Sequence, residues 1–164
     1  MSQSEQNLKD AFAGESQANR KYLAFAEQAD KERHPQAAKL FRAAAAAETV
    51  HAHTHLRTFG GIKTTAENLK EAISGETYQF KSMYPEMIKT AEAEGEKRAL
   101  RSFTYANEVE KMHAALYQKA LDNLDALPAA DYYVCSVCGS TYENEPPEVC
   151  PVCNAKAKAF FKTD

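Results

Sequence analysis

Two short motifs in the chain pair a glutamate with a histidine three residues later. The first is Glu48-Thr49-Val50-His51, and the second is Glu110-Lys111-Met112-His113. Both lie in long stretches whose residue pattern predicts helix. Residues three positions apart share one face of a helix, so each motif presents a carboxylate beside an imidazole. Such a pair can bind a metal ion.

Each motif has an upstream glutamate in a matching context. Glu15, within Gly14-Glu15-Ser16, lies 33 residues before Glu48, and Glu76, within Gly75-Glu76-Thr77, lies 34 residues before Glu110. A single Glu-x-x-His motif is most often part of a solvated helix face. Two of them in register with two Gly-Glu motifs instead indicate an internal repeat that carries a metal site.

The combined set has the composition of a carboxylate-bridged di-metal site. In such bundles two helices each supply one glutamate, and the other two each supply Glu-x-x-His. Four enclosed glutamates would repel one another without cations, and two divalent ions would cancel their charge. One imidazole per metal among carboxylates suits iron or manganese, with zinc as a competitor.

Four long helices are expected to position these residues. Capping boxes at Ser2-x-x-Glu5 and Thr64-x-x-Glu67 open the first and third helices. Pro85 is expected to kink the third helix beyond the site. Short turns make each consecutive pair antiparallel, and the chain crosses between the two hairpins near residues 60–65. The helices are predicted at residues 2–34, 35–59, 64–95 and 96–125.

A second metal site is predicted from the cysteines, which form two Cys-x-x-Cys pairs in the last thirty residues. No export signal precedes them, so metal binding is favoured over disulfides. Gly139 and Asn154 follow the pairs at positions that often need a left-handed backbone. Four thiolates suit iron or zinc, and a structural zinc ribbon is the alternative. The four ligands would be Cys135, Cys138, Cys150 and Cys153.

Composition divides the 164 residues into a larger and a smaller domain. The helical pattern stops near Leu127, and a strand-like segment starts at Asp131, so we predict domains at residues 1–127 and 128–164. A net charge of −3 provides no basic stripe for nucleic acid. No apolar run is long enough for a membrane helix, and no signal peptide is recognisable. The expected location is the cytoplasm.

These motifs closely resemble those of the rubrerythrins, in which a ferritin-like di-iron four-helix bundle precedes a small β-rich rubredoxin-like iron domain. The likeness extends to Gly75-Glu76-Thr77-Tyr78 and Met83-Tyr84-Pro85-Glu86. It implies that Glu48 and Glu110 bridge the irons, with Glu15 and Glu76 as terminal ligands. It also places Tyr22 and Tyr84 beside the irons as catalytic residues, although core packing explains two tyrosines equally well.

The resemblance implies a peroxidase that reduces hydrogen peroxide to water and protects against oxidative stress. Its own Fe(Cys)4 centre would return electrons that come from NAD(P)H through a separate reductase or rubredoxin. The chain has no Gly-x-Gly-x-x-Gly motif for a nicotinamide. A homodimer or higher homo-oligomer is expected. The alternatives are a ferroxidase that handles iron, and a binding module with a zinc-filled tail.

Gln79 departs from the family pattern. Rubrerythrins usually have another glutamate three residues after the ligand of the third helix, and one iron exchanges that glutamate for the histidine of the second helix. A neutral amide cannot supply this extra negative charge. We therefore expect His51 to remain a ligand in both redox states.

Overall fold

The computed structural model describes residues 2–163, which are mainly helical with a small β-sheet near the end. Packing divides the chain into two units, and the boundary between them along the chain lies between Lys63 and Thr64. The first unit contains helices α1 (Gln3–Lys31) and α2 (Pro35–Thr58). The second contains helices α3 (Thr65–Tyr78), α4 (Tyr84–Glu94) and α5 (Lys97–Asp122), and strands β1 (Tyr132–Cys135), β2 (Thr141–Glu143) and β3 (Phe160–Lys162).

The first unit is a helical hairpin closed by small residues. Ser2 caps α1 by accepting a hydrogen bond from the Glu5 amide at 3.2 Å, which is one half of the predicted capping box. Three alanines spaced seven residues apart on α2 are buried, which indicates a seam repeating every two turns. Their short side chains allow the two backbones to approach closely. These residues are Ala38, Ala45 and Ala52.

Asn19 joins the two helices of this hairpin near the predicted metal ligands. Its side-chain amide donates to the Ala45 carbonyl at 2.7 Å and to Thr49 Oγ1 at 2.8 Å. The asparagine is buried, so these bonds satisfy an amide group that water does not reach. Because Asn19 lies one turn after Glu15 and bonds the neighbour of Glu48, it holds the two glutamate-bearing turns together.

The predicted signals mark the start of α3 and the end of α4, but the single helix predicted between them is divided. Thr64 and Glu67 form a reciprocal capping box at the start of α3. Gly95 ends α4 in a left-handed conformation with φ of 71°. Between α3 and α4 lies a π-helical turn, Gln79–Met83, which the sequence pattern did not predict. The irregularity thus precedes Pro85, which has no N–H to donate and lies in the first turn of α4.

The tail forms a three-stranded antiparallel sheet in the order β2-β1-β3. A 3-10 turn at Leu124–Ala126 connects it to α5. An ion pair between Lys119 and Glu143 fastens β2 to α5. The strand expected after Asp131 is therefore present, and the tail packs along the helix that carries Glu110 and His113.

The predicted division at residues 127 and 128 stays a prediction, and its outer ends, Met1 and Asp164, lie outside the described residues. None of the helices between residues 2 and 163 has both the length and the apolar character needed to cross a lipid bilayer.

Candidate metal centres

The first unit brings together Glu15 from α1 with Glu48 and His51 from α2. One ligand atom from each of these three residues lies within 4.8 Å of the others. His51 Nδ1 is 2.9 Å from Glu48 Oε2. The Glu48 side chain is 19% exposed and the His51 side chain 57% exposed. This triad therefore has its ligands assembled, with the imidazole open on one side.

The second unit repeats the arrangement with Glu76 from α3 and with Glu110 and His113 from α5. His113 Nδ1 lies 2.8 Å from Glu110 Oε2 and 3.8 Å from Glu76 Oε1. The side chain of His113 is 28% exposed, half as much as that of His51. Two segments of the chain thus build the same triad independently, as the internal repeat predicts.

The charges of the second triad favour a cation. Burial raises the pKa of Glu76 above its usual range, and the neighbouring Glu110 carboxylate raises it further. Without a metal ion Glu76 therefore retains a proton more readily than a solvated carboxyl would. A divalent cation among these oxygens would replace that proton, so the residues fit a metal of the kind that carboxylate and imidazole bind.

Thr141 connects the second triad to the cysteine domain, and it was not identified from the sequence. Its Oγ1 lies 3.1 Å from His113 Nε2 and 3.1 Å from the Gly139 carbonyl oxygen. A carbonyl can only accept, so the threonine proton goes to Gly139, and Oγ1 accepts from the histidine Nε2–H. A neutral His113 then has its lone pair on Nδ1, the atom that faces Glu76 and Glu110.

The two tyrosines predicted to be catalytic have different surroundings. Burial raises the pKa of Tyr84, and the charges of Glu110 and Glu76 raise it further, so its hydroxyl remains protonated beside the second triad. Its ring lies 6.3 Å from that of Phe103. Tyr22 packs against the rings of Phe25 and Phe41, at 6.3 Å and 6.2 Å.

The four cysteines converge on one point. Cys135 Sγ is 3.7 Å from Cys153 Sγ, and Cys138 Sγ is 3.6 Å from Cys150 Sγ. Four sulfurs placed tetrahedrally about 2.3 Å from a metal ion would lie about 3.8 Å apart. The spacing therefore fits one tetrahedral ion, with no sulfur pair at disulfide bonding distance.

The two Cys-x-x-Cys turns have the same backbone geometry. In each, the amide of the residue after the second cysteine donates to the carbonyl of the first cysteine, at 2.8 Å and 2.9 Å. These residues are Gly139 and Asn154, whose φ angles of 87° and 61° confirm the predicted left-handed conformations. In the second turn, the backbone amides of Val152 and Cys153 point toward the Cys150 sulfur and stabilise its thiolate.

Cys150 shows this stabilisation. Burial opposes its ionisation, but hydrogen bonds from the Ser140 hydroxyl and from the backbone at Cys153 and Val152 outweigh burial and lower its pKa to about 6. The Ser140 oxygen lies 3.2 Å from the Cys150 sulfur and is fully buried. Since thiolate is the form that binds metal, one ligand is ready for binding near neutral pH.

Comparisons with known proteins agree with both sites. The family model for rubrerythrin matches residues 6–121, and the model for the rubrerythrin rubredoxin-like domain matches residues 133–161. Rubrerythrin-2 of Clostridium acetobutylicum is 36% identical, with 93% of this chain and 92% of that protein covered. Nigerythrin of Nitratidesulfovibrio vulgaris is 35% identical, with 90% and 80% covered.

Solved structures give the same result for the fold. Nigerythrin in its fully reduced, all-ferrous state matches with a TM-score of 0.60 and 32% identity, over 99% of this chain and 88% of that one. The chain therefore carries the residues of a ferritin-like di-iron carboxylate site and of a rubredoxin-like four-cysteine iron site. It belongs to the rubrerythrin family.

Proposed function

We propose that this protein is a peroxidase that reduces hydrogen peroxide to water at a di-iron centre. The observation that carries the proposal is the repeated Glu-Glu-His triad, accompanied in the second unit by a four-cysteine site that is hydrogen-bonded to the triad through Thr141. A structural zinc protein would have no need for a link between a redox-inert site and a second metal site.

The six residues of the two triads match the ligand set of a di-iron centre. Glu48 and Glu110 would hold the metals together with Glu15 and Glu76, as the resemblance implies. His51 and His113 would supply one imidazole per metal. The four carboxylates balance the charge of two divalent ions. The helical part to residue 127 and the tail from residue 128 act as the catalytic and electron-transfer domains.

When bound, a pair of ferrous ions would supply the two electrons needed to cleave the O–O bond of peroxide, and two protons would complete the formation of two water molecules. The protein must provide these protons. The proximity of Tyr84 to Glu76 and Glu110 supports this role, and the raised pKa shows that its hydroxyl carries a proton there. Tyr22 has the corresponding role in the first unit, where its neighbours are the rings of Phe25 and Phe41.

Re-reduction uses the contact between the tail and α5. The peptide from Cys138 to the Gly139 carbonyl, the Thr141 hydroxyl and the His113 ring form one short route with two hydrogen bonds of 3.1 Å. This route joins a ligand of one metal site to a ligand of the other. With iron bound, the cysteine site would accept electrons from an external donor, either rubredoxin or an NAD(P)H-dependent reductase.

The proposal is tested by loading the full chain with iron, reducing it without oxygen, and mixing it with peroxide or with O2 in a stopped-flow instrument. We expect the reduced protein to be oxidised faster by peroxide than by O2. The Glu110→Gln variant should lose the reaction with peroxide, while its oxidised tail keeps the ferric-thiolate colour. Faster reaction with O2, together with iron accumulation, would instead identify a ferroxidase. A colourless protein with zinc in the tail would rule out electron transfer.

A further inference from the structure

A second functional surface lies beside the cysteine site, in a groove between α5 and the tail. The groove has a volume of about 480 Å³ and opens to solvent. We call it the arginine groove. Its lining residues come from the start of α5 and from the two Cys-x-x-Cys turns, and they are Arg98, Arg101, Ser102, Tyr105, Val137 and Cys153.

The charge of this groove is positive. Arg98 and Arg101 both line it and are exposed, and the lining contains no carboxylate. Within residues 2–163, neither guanidinium forms an ion pair or a side-chain hydrogen bond. Two unpaired positive charges therefore face the same space as a metal-binding cysteine.

These charges do not serve the stability of α5. The amino-terminal end of a helix carries a partial positive charge, which favours acidic residues and disfavours basic ones. Glu96 is the N-cap residue, but the first turn of α5 contains no acidic residue and begins with Lys97 and Arg98. An exposed basic residue is most often only a solvated one, but helix electrostatics oppose Arg98 at this end, and Arg101 lies one turn later, where the helix dipole contributes little.

The position beside Cys153 indicates what the charges serve. Iron held by four thiolates bears a net negative charge, and the whole chain has a net charge of −3, so an acidic partner would be repelled from most of the surface. At the arginine groove, by contrast, the local charge of the surface is positive. Val137, which is 57% exposed, adds an apolar contact at the same edge.

We propose that the arginine groove is the docking site of the electron donor, and that this donor is a small protein with carboxylates around its own one-electron centre. The inference rests on the proposed function of the cysteine site as the entry point for electrons. A single iron takes one electron at a time, so a hydride donor such as a nicotinamide cannot reduce it directly. A one-electron carrier protein fits both this chemistry and the charge.

The test compares reduction of the oxidised, iron-loaded full chain by two donors in the absence of peroxide. One donor is reduced rubredoxin, the protein probe, and the other is reduced methyl viologen, a small cation that needs no carboxylate docking. The variants are Arg98→Gln/Arg101→Gln and, as a matched control, Arg57→Gln, which removes an exposed arginine from α2 outside the groove. The reduction potential of the cysteine-bound iron is measured for each.

We expect the double variant to slow reduction by rubredoxin at least about tenfold at low ionic strength, and the difference to shrink in high salt. Reduction by viologen should not slow, because the loss of positive charge does not hinder a cation. The potential should remain unchanged, and the Arg57→Gln variant should behave like the unmodified protein. An unchanged rate of reduction by rubredoxin would overturn the proposal. Equal slowing with both donors and a shifted reduction potential would overturn it too, because the arginines would then act on the potential of the iron and not on docking. Because no peroxide is present, these outcomes are independent of whether the protein is a peroxidase.

Discussion

At the scale of single residues, Thr141 has a role that its position in the sequence does not reveal. Its hydroxyl donates to the Gly139 carbonyl and accepts from His113, so one side chain of the tail sets the orientation of a metal ligand on α5. Partners that hydrogen-bond a metal-binding histidine typically change metal affinity by 10- to 100-fold when they are removed. A threonine 28 residues away along the chain cannot be matched to His113 without coordinates.

Thr141→Val should therefore weaken metal binding at the second triad by about 10- to 100-fold. Valine keeps the shape but removes the acceptor, so the His113 ring loses the bond that holds its proton on Nε2. Cobalt titration would report the affinity, and nitrogen NMR of the histidine would report the tautomer. Thr104→Val, which removes only a bond to the Leu100 carbonyl on α5, is the matched control. Equal affinity in both variants would show that Thr141 has no such role.

Gln79 provides a second prediction at this scale. It is the first residue of the π-helical turn and lies three residues after Glu76. Gln79→Glu would introduce a negative charge that favours the ferric pair, so we expect the reduction potential of the di-iron centre to fall. A redox titration of the iron-loaded protein measures it. An unchanged or higher potential would contradict the role assigned to the missing carboxylate.

At the scale of elements, the hairpin of the first unit depends on one buried amide. Asn19→Ala removes the hydrogen bonds to the Ala45 carbonyl and to Thr49 Oγ1, and it leaves a gap at a position that is 7% exposed. The Ala45 carbonyl still accepts from Thr49 Oγ1 at 3.1 Å, so the loss is that of two hydrogen bonds, each about 0.5–1.5 kcal/mol. We expect a lower midpoint in denaturant unfolding followed by circular dichroism. Gln17→Ala, which breaks only an exposed bond with Lys21, should leave the midpoint nearly unchanged.

The elements also show what local sequence can predict. The caps at Ser2 and Thr64, the stop at Gly95 and the left-handed Gly139 and Asn154 all follow from the preferences of individual residues, and all are confirmed. The triads follow from the 3.6-residue period of the helix combined with an internal repeat.

The features that were missed depend on contacts between distant segments. Neither the Asn19 bonds across the hairpin nor the Thr141 bond to His113 involves a local motif. The π-helical turn at Gln79–Met83 is local, but the residues there predict a continuous helix with a kink at Pro85 and carry no signal for a π-helical turn.

At the scale of the whole molecule, the tail depends on its metal ion. Its three strands have only three or four residues each, and its fully buried side chains are Cys135, Cys150 and Ser140. A core this small cannot compensate for the conformational entropy lost in ordering about thirty residues, unless a metal ion links the four cysteines. The helices depend less on metal, because Glu76, whose pKa is raised, can hold a proton when no cation is bound, and because the alanine seam on α2 contains no metal ligand.

Removal of the metal with a strong chelator should therefore unfold the tail while the helices persist. We expect fast amide exchange across residues 132–162, and proteolytic cleavage after the 3-10 turn at Leu124–Ala126, with little change in helical circular dichroism. Cys150→Ser should give the same result without a chelator. Protected amides in a metal-free tail would show that the strands fold by themselves.

The central claim is that the two triads hold one pair of irons that delivers its electrons to peroxide. The most direct measurement is an anaerobic titration of the fully reduced chain with hydrogen peroxide, combined with analysis of its metal content. Since each peroxide takes two electrons, a chain with a di-iron pair and one cysteine-bound iron should consume about 1.5 peroxides and contain about three irons. Consumption of only about 0.5 peroxide per chain, with iron confined to the four cysteines, would contradict the claim.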